Sequence, residues 1–342
     1  MTYIKSIQLF ILTSITIVLT ITIINFVIDP FQQYKKATFH KTVFMKNFYL
    51  NAGLIKNYNY DSVVIGSSMT QNFIINDIHT ILEYKKPIKL PIAGGTIIEH
   101  YTVLESAIKS KKVKNVLLGL DVFSLKTSTN RLPAYLYDYN IFNDYLYLVS
   151  IDTLKRSLLY PFLHYTIKAT HPRMNYNLMF QWQHNFKEND FNATKVINNI
   201  KKKSINLDSQ KDQDNLLKDR ISNVDKFLVP LVKNNPNINY IIFYPPYSIL
   251  TYSKMEEDGS LDGFIETKKY IFQKLHKYNN IKLFDFQVAN NITHNLNNYK
   301  DMTHYHQKIN TWMLEKIKQN QFLITKDNIE KYSIELKNQT NK

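Results

Sequence analysis

Ser68 ends the apolar run Val63-Val64-Ile65 and follows Gly66-Ser67 directly. A serine hydroxyl becomes a nucleophile only when a base takes its proton and an acid orients that base. Of the ten histidines, His304 alone has an aspartate three residues before it, in Asp301-Met302-Thr303-His304. A tight loop with that spacing turns a carboxylate and an imidazole toward one point. Asp285 and His306 are alternatives for the acid and the base. Gly94-Gly95 is an adjacent pair in a chain of only seven glycines. Glycine lets backbone N–H groups come close to a ligand, so Ser68, Gly94 and Gly95 are candidate oxyanion-hole donors. The plainer readings are that Ser68 caps a helix and that the glycines make an ordinary turn.

These residues need a frame that gathers them. Ser62–Ile65, Ile88–Ile92, Val116–Asp121, Tyr240–Tyr244 and Ile281–Phe286 read as short buried strands. Helical spacing falls between them, over Thr70–Glu83, Ile97–Lys109, 212–234 and Phe264–Tyr278, with a last helix over His306–Gln319. Thr96 with Glu99 three residues on reads as a capping box for Ile97–Lys109. Strands alternating with helices predict an α/β fold with a mainly parallel sheet. Such sheets bind ligands outside the carboxyl ends of their strands. Ser68, Gly94-Gly95 and the Asp301–His304 loop all follow strands at that edge. Tyr244-Pro245-Pro246-Tyr247-Ser248 closes the fourth strand there, with Tyr247 and Ser248 as candidate pocket residues.

The remaining sequence supplies context. Ile7–Ile28 has no charge and, as a helix, would rise ~33 Å, enough to cross a bilayer core. Phe26-Val27-Ile28-Asp29-Pro30-Phe31 is a poor cleavage site, so an uncleaved anchor is expected over a signal peptide. Residues 1–30 are assigned to the anchor, 31–60 to a juxtamembrane segment and 61–320 to the α/β domain. A Tyr-rich insertion over 125–211 interrupts that domain, and 321–342 form a polar tail expected to fray. The chain has no cysteine, which excludes disulfides and thiolate metal sites, and no cluster has zinc-ligand spacing. The net charge of +15 comes from scattered lysines, including Lys109, Lys111, Lys112, Lys114 and Lys201-Lys202-Lys203. No nucleic-acid module accompanies them, so they read as solvated faces and no nucleic-acid partner is expected.

Gly66-Ser67-Ser68, Gly94-Gly95 and Asp301-x-x-His304, in that order, resemble the SGNH/GDSL hydrolase superfamily over about residues 60–320. With the N-terminal helix and Asp29-Pro30-Phe31, the chain looks like the membrane-anchored branch that includes alginate O-acetylation and teichoic acid D-alanylation proteins. The resemblance implies a three-layer flavodoxin-like fold held outside the cytoplasmic membrane by a single-pass anchor. It also implies a catalytic Ser68, Asp301 and His304, with no cofactor and no metal. The implied activity moves an acyl group, acetyl or similar, onto a cell-surface polysaccharide or teichoic-acid-like polymer. A multi-span membrane-bound O-acyltransferase is the implied acyl donor. A carbohydrate esterase with the same triad, or a non-catalytic partner of the acyltransferase, are the alternatives. The chain departs from the superfamily at its oxyanion asparagine, where Gly119-Leu120-Asp121 stands.

Overall fold

The computed structural model describes residues 3–110, 112–126, 129–168, 170–202 and 213–341. Lys111 and Lys203 of the two lysine clusters lie outside them. The chain divides into two compact units, Met1–Tyr58 with Leu132–Tyr176, and Asn59–Arg131 with Asn177–Lys342. The sequence-defined insertion is therefore split. Its 132–176 part folds with the N-terminal segment, whereas its described residues before 132 and over 177–202 belong to the α/β unit.

The first unit is helical: α1 (Tyr3–Ile28), α2 (Asn47–Asn57), α5 (Ala134–Tyr137), α6 (Tyr145–Leu148) and α7 (Ile151–Thr166). Along α1 only Asn25 is buried, so most of its apolar surface faces outward. Asn25 Nδ2 donates to Leu148 O and Ser150 O at 2.7 and 3.1 Å, and Ser157 Oγ donates to Asn25 Oδ1 at 2.9 Å. Just past α1, the buried Asp29 carboxylate accepts the N–H groups of Gln33, Tyr34 and Lys35 and the Tyr147 hydroxyl. These bonds tie the end of α1 to α6, α7 and the turn at Asp29-Pro30-Phe31.

The second unit holds a five-stranded, all-parallel sheet in the order β2-β1-β3-β4-β5. The strands are β1 (Ser62–Gly66), β2 (Pro87–Lys89), β3 (Asn115–Gly119), β4 (Asn239–Tyr244) and β5 (Ile281–Asp285). Val63, Val64, Ile65, Val116, Leu117 and Leu118 are fully buried, as strands covered on both faces require. Helices α3 (Ile75–Leu82) and α14 (Gln307–Lys318) pack together. So do α4 (Ile97–Lys109), α12 (Leu261–Leu275) and the run from α9 (Gln213–Asn223) through a π-helical turn to α10 (Val229–Lys233). Right-handed crossovers with this strand order put the two groups on opposite faces. The shorter α8 (Ala193–Lys202), α11 (Ile249–Glu257) and α13 (Asn290–Thr293) and the terminal α15 (Ile329–Asn338) complete the unit.

Two expectations are corrected. The helix after Ser68 does not start at Thr70; a 3₁₀ turn covers Ser68–Thr70 and α3 begins at Ile75. The buried Lys89 Nζ donates to Gln71 O at 2.7 Å and Phe73 O at 2.5 Å. Lys89 thus supplies these carbonyls with the donor that a helical turn would otherwise provide. The C-terminal residues do not fray either. Leu323 bridges Phe284 of β5, Ile324 and Leu336 are buried, and α15 forms over Ile329–Asn338. Ile324, Leu336, the Phe322 ring against Phe286 and Trp312, and the buried Gln339 dock an otherwise polar segment.

Candidate functional site

The first and third strands end at Gly66 and Gly119, paired in register. The strand order reverses between these two strands, which is where parallel sheets open a crevice. Gly66 has φ +150°, and a Cβ there would lie 2.6 Å from Gly119 O and 2.7 Å from Thr70 Cγ2. Only glycine permits this abrupt turn from strand into site. Ser67 then caps the 3₁₀ turn, its Oγ accepting from Met69 N at 3.2 Å. With Ser67 in the capping role, the neighbouring Ser68 hydroxyl is left for other use.

That hydroxyl meets His304. Ser68 Oγ and His304 Nε2 lie 2.8 Å apart. On the other side of the ring, Nδ1 is 3.0 Å from both Asp301 carboxylate oxygens. Asp301 Oδ1 also accepts from His304 N at 2.8 Å and Thr303 N at 3.0 Å. Burial alone would raise the Asp301 carboxyl. The hydrogen bonds and charge of His304 and the Thr303 N–H outweigh it and hold the carboxyl well below the usual range. A hydroxyl joined to Nε2, with Nδ1 held by a carboxylate, is the geometry of a base-activated nucleophile. The alternatives are placed elsewhere. Asp285 pairs with Lys268 at 2.6 Å, and His306 caps α14 and contacts Glu188 and Gln183.

Gly94 adopts φ +58°, and nothing crowds the position of its missing Cβ. Gly95 donates its N–H to Ile92 O at 2.8 Å, which closes the turn. The glycine pair is therefore not two equal donors: Gly95 N–H is used within the loop, and Gly94 N–H and Ser68 N–H remain. Behind Gly95 packs His100, which a Cβ on the glycine would strike at 2.4 Å. Burial pushes His100 down to about 4, so the ring is neutral near pH 7.

Ser68, Gly94, Gly95, Asp121, Tyr247 and His304 are among the residues lining one cavity of about 300 Å³. Asp121 is buried and accepts a hydrogen bond from Tyr247 Oη. Its Oδ2 is buried with no hydrogen bond of normal geometry, although the Ser67 hydroxyl faces the carboxyl. Burial raises the Asp121 carboxyl above its ordinary value, against the pull of Ser67, Tyr247 and His304. Tyr247 thus lines the cavity as the sequence suggested, whereas Ser248 turns away and donates to Met302 O at 2.7 Å.

One contributor has no local sequence signal. Trp182 donates from Nε1 to Ser68 O at 2.9 Å and stands edge-on to His304 at 5.3 Å. Its own N–H is held by Asn72 Oδ1 at 3.1 Å. Lys300 Nζ lies over Trp182 and Phe186 and 3.5 Å from Asp301 Oδ2. Trp182 therefore fixes the Ser68 peptide and walls the imidazole at once. Its only sequence mark is rarity, being one of two tryptophans.

Among the described residues, no group of histidine and acidic side chains could hold a metal. The chain matches no family model and no curated protein.

Proposed function

We propose that this chain is a membrane-anchored serine acyltransferase of SGNH type, with a three-layer flavodoxin-like domain. The observation that carries this reading is the relay from Ser68 Oγ to His304 Nε2 at 2.8 Å and from Nδ1 to Asp301 at 3.0 Å. The sheet order 2-1-3-4-5 is that of flavodoxin-like folds.

In the first step Ser68 Oγ attacks the acyl carbonyl carbon while His304 Nε2 takes the hydroxyl proton. The tetrahedral oxygen carries negative charge and faces the Ser68 and Gly94 N–H groups. Collapse breaks the bond to the donor's leaving oxygen or sulfur, which receives the proton from His304. In the second step an acceptor hydroxyl gives its proton to His304 and attacks the acyl-Ser68 ester. Ser68 regains its proton as the acylated polymer leaves. Asp301 keeps Nδ1–H oriented and offsets the imidazolium charge in both steps.

The location proposed is the outer face of the cytoplasmic membrane, with α1 as a retained anchor. Retention is favoured because Asn25 and Asp29 are built into the first unit; cleavage after α1 would strip Asn25 from Leu148, Ser150 and Ser157. A multi-span O-acyltransferase is the proposed donor and a cell-surface polymer the proposed acceptor.

The test is labelling by a fluorophosphonate, followed by acyl transfer in the native host. Wild type should be labelled, and Ser68→Ala should lose both the label and polymer acylation at normal expression. Unchanged acylation in Ser68→Ala would sink the proposal. Release of free acetate from an acetylated glycan, with no transfer to acceptor, would favour the esterase reading.

A further inference from the structure

Helix α7 wears its apolar residues on the wrong side for a water-facing helix. Thr153, Ser157 and Tyr160 form its buried face. The opposite face exposes Ile151 by 54%, Leu158 by 62%, Phe162 by 62% and Tyr165 by 82%. At 100° per residue these four fall within one narrow arc. Tyr145 and Val149, just before α7, are exposed as well. A patch of this kind on a folded protein marks an interaction surface.

The position of the patch along α1 names its occupant. The only buried residue of α1 is Asn25, in its last turn, and its bonds run to Leu148, Ser150 and Ser157 of α6 and α7. The first turns of α1 stand free of the unit. Any membrane that α1 crosses must end near Asn25, where α6 ends and α7 begins. That boundary puts the start of α7, held to Asn25 through Ser150 and Ser157, near headgroup depth. The composition of the exposed face suits that depth: aromatic rings Phe162 and Tyr165, with exposed lysines Lys155 and Lys168 beside them and exposed Lys41, whose backbone N–H donates to His164 Nδ1 at 3.3 Å. Lysines extend past an apolar stripe to reach lipid phosphates.

We infer that α7 is a second, in-plane membrane contact, laying Ile151, Leu158, Phe162 and Tyr165 into the outer part of an anionic lipid leaflet. The inference rests on the proposed anchoring role of α1. It makes the first unit a two-point foot, one helix crossing the bilayer and one lying on it, which restricts tilting at the exit from α1.

The chain lacks cysteine, so single labels can be placed cleanly. Phe162→Cys, Leu158→Cys, Leu12→Cys and Lys326→Cys would each carry a nitroxide on the full chain in phosphatidylcholine–phosphatidylglycerol vesicles. Labels at positions 162 and 158 should be accessible to oxygen and several-fold shielded from an aqueous nickel chelate, at a depth of ~5–10 Å. The label at 12 should lie deeper, and that at 326 should be nickel-accessible. Nickel access at 162 and 158 with position 12 shielded overturns the inference and leaves the anchor reading standing. Nickel access at position 12 removes the anchor reading itself. Spin–spin broadening at 162 would show a second copy covering the face, which also overturns the inference.

Discussion

At the residue scale, Asp301 and Asp121 are two buried or half-buried carboxyls beside His304 with opposite tendencies. Asp301 is held below the usual range by hydrogen bonds to its charged form, so it stays ionised through ordinary pH. The stability it contributes is present above the unfolded carboxylate value, about 3.9, and is lost only as pH falls through its depressed folded value. Asp301→Asn removes the charge and can offer an N–H to Nδ1, trapping the wrong tautomer. The fluorophosphonate labelling rate should fall ~10³–10⁴-fold, at unchanged far-UV dichroism. Asp121 is raised by burial, so its sign is reversed. The folded state holds this proton more tightly, and stability falls as pH rises from the ordinary carboxylate range through the raised value. Asp121→Asn removes that cost and keeps an acceptor for Tyr247. It should melt higher than wild type at pH 7, with the gap closing near pH 4. A lower melting temperature at pH 7 would contradict the assignment.

At the element scale, the β1 exit is held from three sides. Gly66 allows the turn, Ser67 caps it, and Lys89 from β2 takes the carbonyls that would otherwise continue a helix. Lys89→Met leaves Gln71 O and Phe73 O without donors. The expected loss is about 2–4 kcal/mol in denaturant melts, with slower labelling of Ser68. Leu117→Ala, fully buried in the central strand, should cost about 2–5 kcal/mol without touching the site. These elements also show what sequence reveals. Strands β1, β3, β4 and β5 announce themselves because burial on both faces demands apolar runs, whereas β2, expected over Ile88–Ile92, is Pro87–Lys89 and ends on the buried lysine. Thr96 and Glu99 form the capping box that their spacing implies. Asp301 and His304 are neighbours in sequence, so their pairing is a local matter. Lys89 and Trp182 are not: their partners lie 16–18 and 114 residues away, and nothing in their own surroundings encodes the contact. The late start of α3 follows from Lys89 and was hidden for the same reason.

At the scale of the whole chain, the first unit is completed by pieces far apart, Met1–Tyr58 and Leu132–Tyr176. Removing residues 1–20 spares Asn25, and this variant should resist protease in 132–176 as the full chain does. Removing residues 1–28 strips Leu148 O and Ser150 O of their donor. Cleavage there should accelerate, consistent with a loss of about 2–4 kcal/mol. The triad has a longer span still. Ser68 and His304 are 236 positions apart. A growing chain therefore makes Ser68 well before the imidazole proposed as its base. Since His304 sits beyond the last strand, the hydroxyl is a bystander until the sheet has closed. On the proposed reading, a chain folded only as far as the fourth strand holds Ser68 without its base, so fluorophosphonate labelling should appear only once the Asp301–His304 loop has closed on the sheet edge.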